Sequence, residues 1–262
     1  MGIEYYQIDS FTDQLYSGNP AGVCLLKAPI SEKSMQQIAF ENGLSETAFV
    51  WQQDAHFHIR WFTPVTEVDL CGHATLAAGH VLLREHPTDQ CSIFFQSRSG
   101  PLTVSCTDDR LEMDFPIDIP TSCEPPVRLI EAMGLDPVEV LKGKTDFLLI
   151  YHNEADITDL APDFRILKDI DARGVIASAP GKQVDVVSRF FAPQCGVNED
   201  PVTGSAHTTL TPYWCSKLNI TTIRARQLSS RGGSLLCRME GDRVYVRGDA
   251  VTHLKGWIAV PH

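Results

Sequence analysis

The chain is written twice, and a repeat of this length constrains the architecture before any single element is assigned. Arg60-Trp61-Phe62-Thr63-Pro64 returns as Arg189-Phe190-Phe191-Ala192-Pro193, the same R-x-F-x-P pattern 129 positions later. Gly72-His73-Ala74-Thr75 is answered by Gly204-Ser205-Ala206-His207 at an offset of 132, so the second copy has three extra residues in the intervening loop. Gly100, Leu102, Asp109, Arg110, Leu111 and Met113 correspond to Gly233, Leu235, Asp242, Arg243, Val244 and Val246 at a constant offset of 133. Three matches in order, at nearly one offset, describe two similar halves; the alternative is chance agreement among β-hairpin patterns. A length of 262 residues suits two domains of ~100–150 residues each.

Each half reads alike. An alternating strand ends in R-x-F-x-P, a loop follows, then a small-residue helix start, a helix and further strands. Phe57–Phe62 alternates with period two, and ATLAAGHVLLRE is a helix whose alanines and glycine permit close packing. In the second half Val184–Phe191 is the strand and AHTTLTPYWCSKL the helix, while Asp108-Asp109 and Gly241-Asp242 are hairpin turn signals. The pattern predicts an α+β chain of two pseudo-symmetric domains. Between them DFPIDIPTSCEPPVRL, with four prolines, cannot continue a helix or a central strand. The expected domains are 1–117 and 118–262, with the last few residues packing back on the first. After the boundary, EAMGLDPVEVLKG reads as a short helix and TDFLLIYHNEADITDLAPD as a strand followed by a loop.

Charge excludes one class of partner. With 22 basic and 33 acidic residues the net charge is −11, so a nucleic acid would be repelled on average. No window of about 18 apolar residues exists to cross a membrane. MGIEYYQIDSF lacks the basic start and apolar core of a signal peptide and opens directly with a strand, so a cytoplasmic chain is expected. The eight cysteines include no C-x-x-C pair, which argues against a zinc ribbon or redox dithiol and for thiols kept reduced.

The two repeated small-residue motifs sit at helix starts, where unpaired backbone N–H groups and a partial positive charge attract carboxylates or phosphates. If the halves are related by a pseudo-twofold axis, Gly72-His73 and Gly204-Ser205 would converge on one cleft that grips a small anion from both sides. The alternative is two capped helices with no ligand. Asp200, Ser205 and His207 spell a hydrolase triad, but T-G-S-A-H is not G-x-S-x-G, and His207 is too close along the helix to assume that geometry. His56 and His58 would share one strand face, yet two imidazoles without a third ligand make a weak metal site.

FTDQLYSGNPAGV (11–23), GLSETAFV (43–50), RWFTPVTEVDLCGHATLAAGHVL (60–82) and NEDPVTGSAH (198–207) resemble the signature segments of the PhzF-like family, phenazine-biosynthesis relatives of diaminopimelate epimerase. The resemblance spans both halves in order. It implies the fold of that superfamily, in which each of two domains is a mixed sheet rolled around a central helix, with the active-site cleft between them. It also implies cofactor-free proton transfer at a carbon acid of a small carboxylate-bearing molecule, with no metal, in a homodimer. The family's glutamate falls on Glu46. Its position between Ser45 and Thr47, in an otherwise apolar stretch, disfavours the charged form and suits general acid–base work. The other family positions fall on His73, a hydrogen-bond partner or acid, and Asp200, placed to take an amino or hydroxyl group. Asn19 and Ser45 would line the site, and the backbone at Gly72, His73, Gly204 and Ser205 would hold the substrate carboxylate. Each has a plainer alternative: Glu46 on a solvent-facing turn, His73 as a polar helix-start residue, Asp200 as a helix-start acid, Asn19 as a turn former before Pro20.

Diaminopimelate epimerase uses two thiols, one per half, each beside a helix-start glycine where a thiolate is favoured. Here Cys71 precedes Gly72, but the matching residue before Gly204 is Thr203, which cannot serve as a base. A symmetric two-thiol racemase is therefore disfavoured, leaving a Glu46 isomerase, a Cys71/Glu46 amino-acid epimerase or a non-catalytic carboxylate-binding protein. Glu46 has no evident counterpart in the second half, an asymmetry that favours one base over two.

Overall fold

The structure is a computed structural model that describes residues 2–54, 56–86 and 89–260. Two compact units divide the chain: Met1–Asp114 together with Arg247–His262, and Phe115–Val246. No helix among the described residues is long and apolar enough to cross a membrane.

In the first unit β1 (Gly2–Ser10) and β2 (Asn19–Leu26) are antiparallel, and the C-terminal strand Ala250–Ala259 runs antiparallel along the other side of β1. Helix α1 (Glu32–Asn42) is the crossover to β3 (Glu46–Gln53), which lies parallel to β2. Its ends are written locally: Ser31 caps the N-terminus by accepting from Ser34 N at 3.1 Å, and Gly43, at φ 62°, closes the C-terminus onto Ala39 O. β4 (His56–Phe62) pairs antiparallel with β3 and leads through β5 (Glu67–Val68) to α2 (Gly72–His80), which continues in a π-helical turn, Val81–Glu85. β6 (Ser92–Ser97), β7 (Gly100–Thr107) and β8 (Arg110–Pro116) complete an antiparallel run whose first strand lies parallel to β4. Every residue of α2 from His73 to His80 is buried, so this helix is enclosed rather than amphipathic. Gly79 allows the closest approach: a Cβ there would stand 2.4 Å from Val104 Cγ1 on β7.

The second unit repeats the plan. After β9 (Thr121–Ser122), α3 (Val127–Met133) and β10 (Glu139–Lys142), β11 (Asp146–Ile150) leads through α4 (Glu154–Asp159) and α5 (Phe164–Leu167) to the parallel strand β12 (Gly174–Pro180). β13 (Val186–Ala192) is antiparallel to β12 and pairs with β14 (Val197–Asp200), and α6 (His207–Leu218) precedes β15 (Thr222–Gln227), β16 (Gly233–Glu240) and β17 (Arg243–Gly248). Pro212 lies inside α6 and has no N–H, so the carbonyl of Thr208 is left over. The backbone N–H of Asp118 takes it up at 3.2 Å, and the Asp118 carboxylate accepts from Thr209 Oγ1 at 2.8 Å and from Lys144 N at 3.1 Å. Each unit is thus a mixed sheet with one largely buried helix.

Two expectations change here. Residues 131–143 are not one helix: α3 ends at Met133 because Gly134 turns left-handed at φ 70°, and Glu139–Lys142 is a strand paired with β11. The segment after β11 is not a plain loop, because Asn153 and Asp156 form a reciprocal capping box that starts α4.

The repeat reappears as matched interactions. Arg60 grips Glu67 through Nε and Nη2 at 2.6 and 2.7 Å, and Arg189 grips Glu199 through the same atoms at 2.7 and 2.9 Å. Each guanidinium also lies over the phenylalanine two residues on, 5.1 Å from Phe62 and 4.9 Å from Phe191.

Gly79→Ala should destabilise the fold by about 1–3 kcal/mol through overpacking against Val104, although alanine gains up to about 1 kcal/mol in helix propensity. Urea unfolding checks this, and Val104→Ala added to Gly79→Ala should recover part of the loss, because the two residues share one space.

Candidate active site

Glu46 is the first residue of β3, placed there by the tight turn that follows α1; the Asn42 side chain ties that turn to the strand by donating to Thr47 Oγ1 at 3.1 Å. His73 is the second residue of α2, and its carbonyl accepts from Ser10 Oγ at 2.9 Å. The helix start therefore hangs on the end of β1. Its first turn is closed by Thr75, whose N–H and Oγ1 both donate to Cys71 O, at 3.1 and 2.6 Å.

These elements bring Glu46, Cys71, His73 and Asn19 together. His73 Nε2 stands 3.2 Å from Glu46 Oε2; His73 Nδ1 meets Asn19 Nδ2 at 3.2 Å and Cys71 Sγ at 3.6 Å. The ring is buried, with Glu46 half-buried beside it and Ser45 next in the chain. When the ring is neutral, Nδ1 accepts from the Asn19 amide and the proton sits on Nε2. When the ring is charged, Nδ1–H can donate to the sulfur, and Nε2 still carries a proton. In both forms an N–H faces the Glu46 carboxylate. The approach is nevertheless off-line, so Glu46 Oε2 and His73 Nε2 are buried atoms without an aligned hydrogen bond. Such loose acid–base contacts are common in a site with no substrate.

Burial opposes a charge on His73, but Cys71 and Glu46 beside it outweigh burial and hold the ring well above the ordinary imidazole value. Burial pushes the Cys71 thiol up, the Glu46 charge adds to this, and His73 pulls against it. The donor atoms of Glu46, Cys71 and His73 all lie within 4.8 Å of one another, a set that could ligate a divalent cation. His56 and His58 belong to no three-ligand group among the described residues, and His58 instead stacks on Trp51 with ring centroids 5.3 Å apart.

The second unit places Asp200, Gly204 and Ser205 shortly before α6. Thr203 Oγ1 donates to Asp200 Oδ2 in a very short contact, and buried Gln227 holds the same turn by accepting from Thr203 N at 2.9 Å and donating to Asp200 O at 2.8 Å. Asp200, Ser205 and His207 form no relay. His207 Nδ1 donates to Thr203 O at 2.9 Å, and Ser205 Oγ accepts from Arg173. His207 and Thr203 repeat, with an imidazole, the back-bond that Thr75 makes to Cys71 in the first unit.

Arg173 is the residue that motif reading missed. It grips buried Asp146 through Nε at 2.9 Å and through a shorter Nη2 contact, donates from Nη1 to Ser205 Oγ at 2.9 Å, and lies over the Phe190 ring. Because Ser205 accepts from Arg173, its own O–H is turned elsewhere. Strand register would have found the position. Thr47 pairs with Phe62 in the first unit and Val175 with Phe191 in the second, so Glu46 corresponds to Gly174 and Ser45 to Arg173. Gly174 has no room for a side chain, since a Cβ there would stand 2.3 Å from Phe190 Cζ.

The fold agrees with what the chain is similar to. A model of the family PhzC-PhzF, phenazine biosynthesis-like protein, matches residues 8–256. The chain belongs to this family. An uncharacterized isomerase of Pseudomonas aeruginosa is 48% identical over 98% of this chain and 99% of its own. The human phenazine biosynthesis-like domain-containing protein is 35% identical over 98% and 99%. The crystal structure of a PhzF-family protein of Enterococcus faecalis superimposes with a TM-score of 0.96 at 41% identity, covering 99% of this chain and all of that one. A probable proline racemase of Agrobacterium radiobacter, at 9% identity and a TM-score of 0.65 over 99% of this chain and 93% of that one, shares the epimerase-like fold alone.

Burial pulls His207 down to about 4, with the Thr203 carbonyl pulling the other way, and pulls His80 to about 4 as well. A folded-state value below the ordinary 6.5 means that the unfolded chain binds more protons in between. Stability from neutral His207 is thus fully present above the unfolded value and is lost as pH falls toward the folded one. In urea titrations, the gap between the wild type and His207→Asn, which keeps a donor for Thr203 O, should narrow by about 2–3 kcal/mol between pH 7 and pH 4.5. A gap that does not change with pH refutes the assignment.

Proposed function

We propose that this PhzF-family protein is a cofactor-independent isomerase that moves a proton between positions of a small carboxylate-bearing carbon acid. Glu46 is the general base that takes the proton and the acid that returns it. The observation that carries the reading is the facing of Glu46 Oε2 by His73 Nε2 at 3.2 Å in the first unit, with both atoms buried. The His73 N–H stabilises the carboxylate between turnovers and is available to an oxygen that gains negative charge as the carbon is deprotonated. Asn19 fixes the ring from its far side. The backbone N–H groups of Gly72 and His73 are available to the substrate carboxylate, and Ser45 lines the site.

The isomerase class is in keeping with the relatives, whose names describe isomerases and an epimerase. One observation separates one-base isomerisation from a Cys71/Glu46 epimerase: the Cys71 sulfur and the Glu46 carboxylate stand within 4.8 Å of one another, whereas two groups acting on opposite faces of one carbon, each about 3–3.5 Å from it, stand roughly 6–7 Å apart.

The test is solvent exchange. The protein is incubated in deuterated water with a panel of amino and hydroxy acids and followed by NMR for loss of a C–H signal. Glu46→Gln should slow exchange by roughly 10²–10⁴-fold, while Cys71→Ser should retain it. Binding of a panel member without exchange would identify a carboxylate-binding protein instead; equal loss in Cys71→Ser would restore the two-base epimerase.

A further inference from the structure

Two cysteines face each other at the open end of the β6–β7 hairpin. The register pairs Ser92 with Ser105, and one step on Cys106 N donates to Cys91 O at 2.8 Å, so Cys91 and Cys106 are directly opposed in the hydrogen-bonded manner. Opposed residues of this kind have Cα atoms about 5.5 Å apart, inside the roughly 4.4–6.8 Å that a disulfide spans. Alternation puts Cys91 on the side of Ile93 and Cys106 on the side of Val104; Ile93 and Val104 are themselves a register pair, so both thiols share one face. The second unit builds the same pair position, with Met239 N donating to Thr221 O at 2.8 Å, but fills it with residues that cannot crosslink.

Access and a basic neighbour coincide there. Cys91 is exposed and Cys106 half-buried, and Arg84 Nη2 donates to Cys106 Sγ at 3.4 Å. Cys24, Cys71, Cys215 and Cys237 are buried. Cys123 and Cys195 are at least partly open, but no cysteine is their strand partner: Cys123 N donates to Val140 O, and the Cys195 thiol donates to Arg173 O.

We propose that Cys91 and Cys106 are a thiol-oxidation site that closes to a reversible cross-strand disulfide when the protein meets a small-molecule disulfide such as oxidised glutathione. The exposed Cys91 thiolate attacks one sulfur of the glutathione disulfide, forming a mixed disulfide and releasing one glutathione thiolate. The Cys106 thiolate then attacks the Cys91 sulfur and displaces the second glutathione. Two protein thiols lose two protons and two electrons, and one glutathione disulfide becomes two glutathiones.

Intact-mass measurement and peptide mapping of the whole protein after treatment with oxidised glutathione test this. The wild type is expected to lose two hydrogens and yield a peptide pair linked through Cys91 and Cys106, both reversed by dithiothreitol. Cys106→Ser should stop at a single glutathione adduct on Cys91. A lasting glutathione adduct on wild-type Cys91, or a first internal bond involving any other cysteine, overturns the proposal. The site shares no residue with the pocket around Glu46, so its failure would leave the proposed isomerase reading untouched.

Discussion

In each unit an arginine and a glutamate hold the turn on which everything downstream depends. The strand ending in R-x-F-x-P must reverse and deliver the chain to the first residue of a buried helix, and the returning segments are short: two residues in β5 and four in β14. Ladder bonds alone cannot anchor so little chain. Arg60 and Arg189 supply planar forks that take both oxygens of Glu67 and Glu199, with side chains at most 22% exposed. Removing one member of the Arg189–Glu199 pair strands the other charge in a partly dry setting, a loss of about 3–5 kcal/mol where burial is complete; in the first unit Glu32 also reaches Arg60 and Arg98 also reaches Glu67, so the loss there is smaller. The position of Gly72 and of Gly204, and thus of the backbone N–H groups beyond them, is inherited from these two forks.

On this shared frame the halves have diverged where chemistry is at stake. The back-bond closing the first helical turn is made by a threonine hydroxyl at Thr75 and by an imidazole at His207. Cys71 and His73 of the first copy are Thr203 and Ser205 in the second. Thr203 is committed to Asp200, whose own counterpart, one residue after the glutamate of the fork, is Val68. The position of Glu46 is the sharpest case, because it aligns with a glycine whose missing side chain is replaced by the Phe190 ring. Arg173 reaches from the adjacent residue to Ser205 instead, so the second unit carries a cation where the first carries an acid.

The sequence made the repeat legible because its motifs hold residues that geometry cannot replace: the arginine of the fork, the glycine at the helix start, the turn residues of the hairpin. It also made Glu46, His73 and Asn19 legible, through strings shared with a known family rather than through any local signal that the three side chains meet. Arg173 and Gly174 were illegible, since no motif surrounds them and their correspondence to Ser45 and Glu46 exists only in strand pairing. Two misreadings had local causes that were present all along. Gly134, followed by Pro137, ends α3 early, and Asn153 with Asp156 begins a helix where composition read as loop.

The asymmetry bears on what kind of proton transfer the proposed reading permits. Inverting a stereocentre requires that one group remove a proton from one face and a second group supply one to the other. In the second copy the place of Glu46 has no side chain at all and the place of Cys71 is a hydroxyl already donated to a carboxylate; in the first copy the Cys71 sulfur stands within 4.8 Å of the Glu46 carboxylate, too close for the two to flank one carbon that each approaches to about 3–3.5 Å. A lone carboxylate that takes a proton from one carbon can return it only to the face it already occupies. Net change then requires delivery to a different atom, along a conjugated system that shares the negative charge. The His73 N–H facing Glu46 suits such a cycle, because it stabilises the carboxylate that begins and ends each turnover without having to leave the ring. Relocation of a proton along one face, rather than inversion at one carbon, is the chemistry that a single base with this neighbour can complete.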